Sequence, residues 1–142
     1  MLRQLLVGAG VSTCNIVVHA LVMTVVVRVT RTVCSQNVWH PWLLLIFVTI
    51  AVVSILMLAH TSEVIVSSLT YATANAAPVG ADLVYFAFVN YTTLGYGDVI
   101  PVEAWRLLGP ITAMNGVLLF GWSTAVIFEV LRRALLRTDM LS

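Results

Sequence analysis

Charge is what this sequence has least of. Only 9% of its 142 residues are charged, 61% are hydrophobic, and the mean hydropathy is +1.03. Soluble domains carry about a quarter charged residues. So few charges cannot cover a water-facing surface, and the chain belongs in a bilayer. Lysine is missing altogether, so all seven basic residues are arginine. A net charge of +1 offers no basic face to a nucleic acid. The two cysteines, Cys14 and Cys34, fall in an apolar span and in the loop after it. That spacing is too sparse for a metal site and reads as two unpaired thiols. No span has arginine at every third position, which excludes a voltage sensor. No nucleophile lies beside a base at recognisable spacing, so the chain is not expected to be an enzyme. Internal repeats and low-complexity tracts are also missing.

What is present is a set of long apolar runs. A spanning helix needs roughly 20 mostly apolar residues, and the length allows three such spans plus one short piece. Leu5 to Val27 is the first, interrupted by Ser12, Thr13, Asn15 and His19, and followed by Arg28 and Arg31. It is too long and lacks the small-residue cleavage site of a signal peptide. A polar loop leads to Pro41, a natural first residue for the next helix. The second span runs from Leu43 through Ala59, His60 and Glu63 to Tyr71 and is long enough to tilt or project. Residues 72–80 read as an exposed loop. Asp82 to Thr92 has only 11 residues, about 16 Å as a helix. Asp82 suits its N-terminus, and Tyr85, Phe86, Phe88 and Tyr91 recur along it. A helix that stops at half the bilayer is tolerated only inside protein or beside water. The last span runs from about Trp105 to Val130 and closes on Arg132, Arg133 and Arg137.

The arginines set an orientation. Arg28, Arg31, Arg132, Arg133 and Arg137 follow the first and last spans, while Arg3 and Arg106 lie on the opposite side. The arginine-rich side faces the cytoplasm. The N-terminus and the segment after the short helix then face outside.

That segment reads Thr92-Thr93-Leu94-Gly95-Tyr96-Gly97-Asp98. Aiming several carbonyls at one axis requires alternating backbone handedness, which L-residues resist and glycine permits. Gly95 and Gly97, spaced by two, stand where the alternation needs them. With its short preceding helix and flanking spans, the motif resembles the selectivity filter of pore-loop potassium channels. The resemblance covers Asp82 to about Arg133, with Pro101, Trp105 and Arg106 resembling the family's link from filter to inner helix. It implies potassium ions bound at Thr93, Leu94, Gly95 and Tyr96, with Gly97 at the outer end. It implies that the Thr93 hydroxyl completes the innermost site, that Tyr96 packs on the aromatic pore helix, and that Asp98 sits behind the outer mouth. One filter strand per chain implies a homotetramer.

The departures are specific. Leu94 replaces a more common valine. Val89 stands where some bacterial members have a carboxylate, and Phe86 where many have a tryptophan; both of those partner the filter aspartate. Asp98 is therefore expected to lack its familiar partners, with Tyr85, Phe86, Val89 and Thr92 as the available supports and slow inactivation altered. Gly116 falls where the family often has a hinge glycine, and hinge and close packing both remain open; Gly121 offers a second small position. Asn115 either lines the central cavity or bonds between helices. Glu129 is within reach of Arg132 and Arg133, and local pairing is its expected role rather than a ring of charge. His60 and Glu63 share a face. They are either a proton-sensitive pair, or interfacial residues hydrated at the membrane surface or capping contacts with the pore helix, and the second reading is expected. Asn15 and His19 are expected to bond a neighbouring helix near Thr49 or Ser54.

The expected fold class is an all-α membrane protein. It has three transmembrane helices, a re-entrant pore helix and a selectivity-filter loop, assembled as a tetramer. An additional helix and cytoplasmic loop occupy 1–41. The pore domain occupies 42–142, with outer helix 42–71, pore helix 82–92, filter 93–98 and inner helix 105–133. The extra helix is expected to pack outside the tetramer and tie subunits together. The expected function is passive, potassium-selective conduction in a bacterial inner membrane. The alternatives are a weakly selective cation channel, a non-conducting sensor or accessory subunit keeping the pore fold, and a subunit of a potassium uptake transporter. Without a ligand-binding domain after Arg133, gating is expected from the pore, the membrane, pH or a regulatory partner.

Overall fold

The computed structural model describes residues 1–35 and 41–141, with side chains from 1–33 and 42–136. Most of the loop between the first two spans, and the side chains of Cys34 and Arg137, lie outside the described residues. Helix α1 spans Leu2–Ser35, α2 Pro41–Ala74, α3 Leu83–Tyr91 and α4 Leu108–Leu141, and a single 3-10 turn at Glu103–Trp105 precedes α4. Among the described residues there is no strand. Three helices are long and apolar enough to cross a membrane, over Leu2–Val33, Trp42–Ala74 and Glu103–Leu136.

Each long helix has 34 residues, about 51 Å at 1.5 Å per residue. A bilayer core is about 30 Å thick. The sequence predicts this overrun for α2 alone; the structure shows it for all three. The reason lies at the arginine-bearing ends. Arg28, Arg31, Arg132 and Arg133 continue their helices instead of ending them, because a long side chain reaches water while its stem stays on the apolar surface. Polar residues inside the spans are accommodated locally. Thr13, Thr24, Thr49, Thr61, Thr70 and Thr124 each donate to the carbonyl four residues back, so these six hydroxyl hydrogens are not stranded in hydrocarbon.

Helix α2 ends in a left-handed cap. Asn75 has φ 51°, Ala76 N–H donates to Tyr71 at 3.0 Å, and Asn75 N–H to Ala72 at 3.2 Å. This paired pattern satisfies the last carbonyls of the helix. It reverses the chain so that Ala76 is fully buried and its carbonyl accepts from Val102 N–H at 2.9 Å. Part of the expected exposed loop is therefore core.

Two apolar clusters hold the chain together. One wraps α3 with Val64, Tyr71, Phe86, Tyr91, Trp105, Leu108 and Leu119. The other joins α1, α2 and α4 through Met23, Val26, Val52, Leu56, Val126 and Val130. Helix α1 packs on both α2 and α4 of its own chain. At its N-terminus, Gln4 Oε1 accepts from Leu107 N–H at 2.9 Å, and Arg3 lies over the Trp105 ring at 4.5 Å. Arg3 and Arg106 thus share one end of the molecule with the start of α4.

Candidate functional site

The short helix α3 has a defined start and stop. The Asp82 carboxylate accepts from Val84 N–H at 3.0 Å and Tyr85 N–H at 3.1 Å, satisfying two of the donors that a helix N-terminus leaves free. At the other end the N–H groups of Thr92, Thr93 and Leu94 return to the carbonyls of Phe88, Asn90 and Val89. These bonds pin the beginning of the 93–98 loop to the helix. Beyond them the backbone alternates: Thr93, Gly95 and Gly97 have φ of 60°, 61° and 77°. Glycine takes this region freely, while a β-branched residue resists it. The sequence placed the two glycines in this role and missed Thr93. No sequence signal marks a threonine for that conformation.

Leu94 and Tyr96 are 53% and 69% exposed in the single chain. The expected packing of Tyr96 on the aromatic pore helix belongs to an assembled ring. Val89 and Phe86 are buried, the latter with its ring 4.9 Å from Tyr71. Neither supports Asp98. Of the supports expected for Asp98 it is Tyr85 that reaches it: the Tyr85 hydroxyl donates to Asp98 Oδ2 at 2.6 Å. Asp98 Oδ1 accepts from Val99 N–H at 3.0 Å. The Tyr85 hydrogen bond is the main reason the Asp98 carboxyl is held below its ordinary value of 3.8, and the same bond raises the Tyr85 phenol above 10.0. Thr92 directs its hydroxyl to Phe88 O at 2.7 Å and serves the end of the helix.

Helix α4 meets α3 at Gly116. A Cβ there would overlap the Tyr91 carbonyl oxygen and lie 3.0 Å from its carbon. Between hinge and packing, the structure therefore gives Gly116 a packing role, with backbone against backbone. Asn115 precedes Gly116 on α4. It is 3% exposed and borders a cavity of about 10 Å³ with Asn15, Tyr71 and Thr112. The Oδ1 atoms of Asn15 and Asn115 have no protein partner, and the space suits about one water. Of the two roles left open for Asn115, the single chain favours the buried interhelical one. Glu129 pairs with Arg132 at 2.9 Å and with Arg133, as local pairing predicts.

His60 and Glu63 meet the short helix α3 through the Tyr91 hydroxyl, and only the hydrated alternative is corrected. They are not hydrated at the membrane surface: Glu63 is fully buried and the His60 side chain is 12% exposed. They lie between the two apolar clusters, where four helices meet. Glu63 Oε1 faces His19 Nδ1 at 2.7 Å, and Oε2 faces His60 Nδ1 at 3.1 Å and accepts from the Tyr91 hydroxyl. The Ser123 hydroxyl sits between the opposite nitrogens, 2.9 Å from His60 Nε2 and 3.3 Å from His19 Nε2. Asn15 and Ser67 donate to the Glu63 backbone carbonyl at 3.5 and 3.0 Å. Asn15 and His19 therefore reach Glu63, not Thr49 or Ser54; Thr49 bonds its own helix and Ser54 is exposed. Ser123 went unnoticed in the sequence because one small polar residue in an apolar run carries no signal. A ligand atom from each of His19, His60 and Glu63 lies within 4.8 Å of the others. The facing atoms already meet at hydrogen-bonding distance, so the arrangement is a closed hydrogen-bonded ring.

With this geometry in place, comparison with known proteins adds one finding. A family model described as "Ion channel" matches residues 42–133. No curated protein and no solved structure matches the chain.

Proposed function

Since the chain belongs to the ion-channel family that its residues 42–133 match, a multi-pass membrane transport protein rather than an enzyme, we propose that it is a passive, potassium-selective channel working as a homotetramer. The observation that carries this reading is the loop backbone, left-handed at Thr93, Gly95 and Gly97. Alternating handedness is what allows successive carbonyls to face one axis, and four such loops around that axis would replace the hydration shell of a potassium ion. In this reading the carbonyls of Thr93, Leu94, Gly95 and Tyr96 form the ion sites, the Thr93 hydroxyl closes the innermost one, and Gly97 marks the outer end. Leu94 and Tyr96, exposed in one chain, gain neighbours from adjacent subunits. Helix α3 is the re-entrant pore helix, Tyr85 holds Asp98 behind the mouth, and Gly116 seats the inner helix α4 against the pore helix. Several ions in file repel one another and leave quickly.

The contacts of Arg3 and Gln4 with Trp105 and Leu107 support an N-terminus on the same side as the filter. Together with the arginine bias, they favour an outward filter, an outward N-terminus and a cytoplasmic C-terminus in a bacterial inner membrane. The test is potassium flux into liposomes containing only this protein, with barium as blocker. Selective, barium-blocked flux is expected. Sodium flux of equal size would make it a weakly selective channel, and no flux for either ion would leave a non-conducting scaffold; both outcomes overturn the proposal.

A further inference from the structure

The polar ring between the helices has a proton count that its geometry fixes. Both imidazoles turn Nδ1 toward the Glu63 carboxylate, at 2.7 and 3.1 Å. A carboxylate only accepts, so each Nδ1 carries a hydrogen. The Tyr91 hydroxyl lies 2.8 Å from His60 Nδ1 and closer still to Glu63 Oε2. It has one hydrogen, and the carboxylate takes it. If both histidines are neutral, both Nε2 atoms are then bare acceptors. They face one Ser123 oxygen, at 2.9 and 3.3 Å. That hydroxyl has a single hydrogen and satisfies one of them. The other is left lone pair against lone pair, in a place where an unmatched polar atom is costly.

One further proton removes the conflict. The protonated Nε2 donates to Ser123 Oγ, and Ser123 donates to the other Nε2. Every donor then meets an acceptor around the circuit Glu63, His19, Ser123, His60. The added charge also cancels that of Glu63, so the buried group is neutral overall, as a low-dielectric site favours. A fourth proton would leave an uncompensated positive charge. The groups facing the pair are His19 from α1, His60 and Glu63 from α2, Tyr91 from α3, and Ser123 with the uncharged Trp122 and Phe120 from α4. Among the described residues no charged side chain of α4 enters.

We propose that the ring of His19, His60, Glu63 and Ser123 is a proton-binding site that holds one proton more than the neutral histidine pair, shared between α1 and α2 and read by α4. Loss of that proton leaves the Glu63–Tyr91 bond intact and breaks the match at Ser123. The consequence falls on the inner helix and spares the pore helix. The proton count stands without the channel reading; only its effect on conduction rests on that reading.

The test is direct. The intact protein, labelled with 15N-histidine, is examined by NMR at neutral pH, with His40→Gln identifying the signals of the third histidine. Three imidazole N–H protons are expected on His19 and His60 together. Two, or four, would overturn the proposal. So would zinc added alone stripping both Nδ1 positions of their protons, which would make the cluster a metal site. Glu63→Gln should lower the count to two, and three in that variant would equally overturn it. In liposomes, the pH dependence of flux should disappear in Ser123→Ala, and its persistence would overturn the link to α4. Three N–H protons without flux at any pH would sink the channel reading and leave the proton site standing. Two N–H protons with normal flux would do the reverse.

Discussion

Gly116 has no room for a side chain. Its Cα lies against the Tyr91 carbonyl, and an added Cβ would collide with backbone atoms that have nowhere to move. Gly116→Ala should therefore destabilise the fold by about 1–3 kcal/mol, the usual range for overpacking. Gly10 meets nothing within 4 Å, and Gly10→Ala should be neutral or gain up to about 1 kcal/mol from helix propensity. Thermal unfolding in detergent of the two variants checks this; equal behaviour would mean that Gly116 serves bending and not contact. Tyr85 makes a second prediction at this scale. Its hydroxyl holds Asp98 below 3.8. A carboxyl with a lowered folded-state value contributes stability above its unfolded value and loses it as pH falls through the folded one. Asp98 thus stays ionised further into acid in the wild type. If the loop is the proposed filter, Tyr85→Phe should move the acid loss of conduction to higher pH and change slow inactivation. A flux–pH profile superimposable on wild type would refute the role given to Tyr85. Restoring a glutamate at Val89 should matter less than the sequence suggests, because Asp98 already has a donor and Val89 is buried.

At the scale of elements, α3 depends on its start. Asp82 satisfies two N–H groups of a nine-residue helix, and short helices have little stability of their own. Asp82→Ala should cost about 1 kcal/mol, while Asp82→Asn, which keeps the accepting oxygen, should cost far less. Comparing their unfolding midpoints checks this; equal losses would point to charge instead of capping. This element was legible in advance because its signals are local: an N-cap acid, apolar aromatics at helical spacing, and a threonine pair followed by glycines. The Pro41 start of α2 was legible for the same reason. The helix ends were less so. An arginine reads as a boundary in sequence, yet here Arg28, Arg31, Arg132 and Arg133 ride on continuing helices. The site around Glu63 was legible only in part. Spacing shows that His60 and Glu63 share a face, and likewise Asn15 and His19. It does not show that the two faces meet, and the low charge of the chain favoured a surface position for Glu63. The partners that bury it come from residues 44 and 28 positions away, His19 and Tyr91. The missing information was helix–helix register, which single-chain periodicity does not contain. The roles of Asn115 and Gly116 were hidden for the same reason.

For the whole molecule, the question is what α1 is for. The family match begins at residue 42, so the matched portion excludes α1. Yet the described chain does not treat α1 as an appendage. It supplies His19 to Glu63, Gln4 to Leu107 and Arg3 to Trp105, and it covers faces of both α2 and α4. Without it, Glu63 would lose its 2.7 Å partner and turn a carboxylate toward lipid or a neighbouring subunit. Removing one member of a buried ion pair typically costs about 3–5 kcal/mol, largely because the other charge is left uncompensated. A chain starting at Pro41 should therefore assemble poorly, despite carrying the complete matched segment. If the stranded charge is the cause, Glu63→Gln within that shortened chain should recover part of the loss, because a neutral amide is cheaper to leave beside hydrocarbon than a carboxylate. The same substitution in the full-length protein should be destabilising, since there it removes the partner of His19, His60 and Tyr91. The opposite signs of one substitution in two backgrounds are the distinguishing result. They are measured as the tetramer fraction by native mass spectrometry and as the unfolding midpoint, with and without potassium. Potassium should raise the midpoint wherever the proposed filter assembles, through a stabilisation of about 2.7 kcal/mol at a hundredfold excess over its dissociation constant, and sodium should not. A shortened chain that forms tetramers as readily as the full one, with Glu63 unchanged, would show that the carboxylate finds its compensation without α1, and that this helix serves some end other than holding the charge.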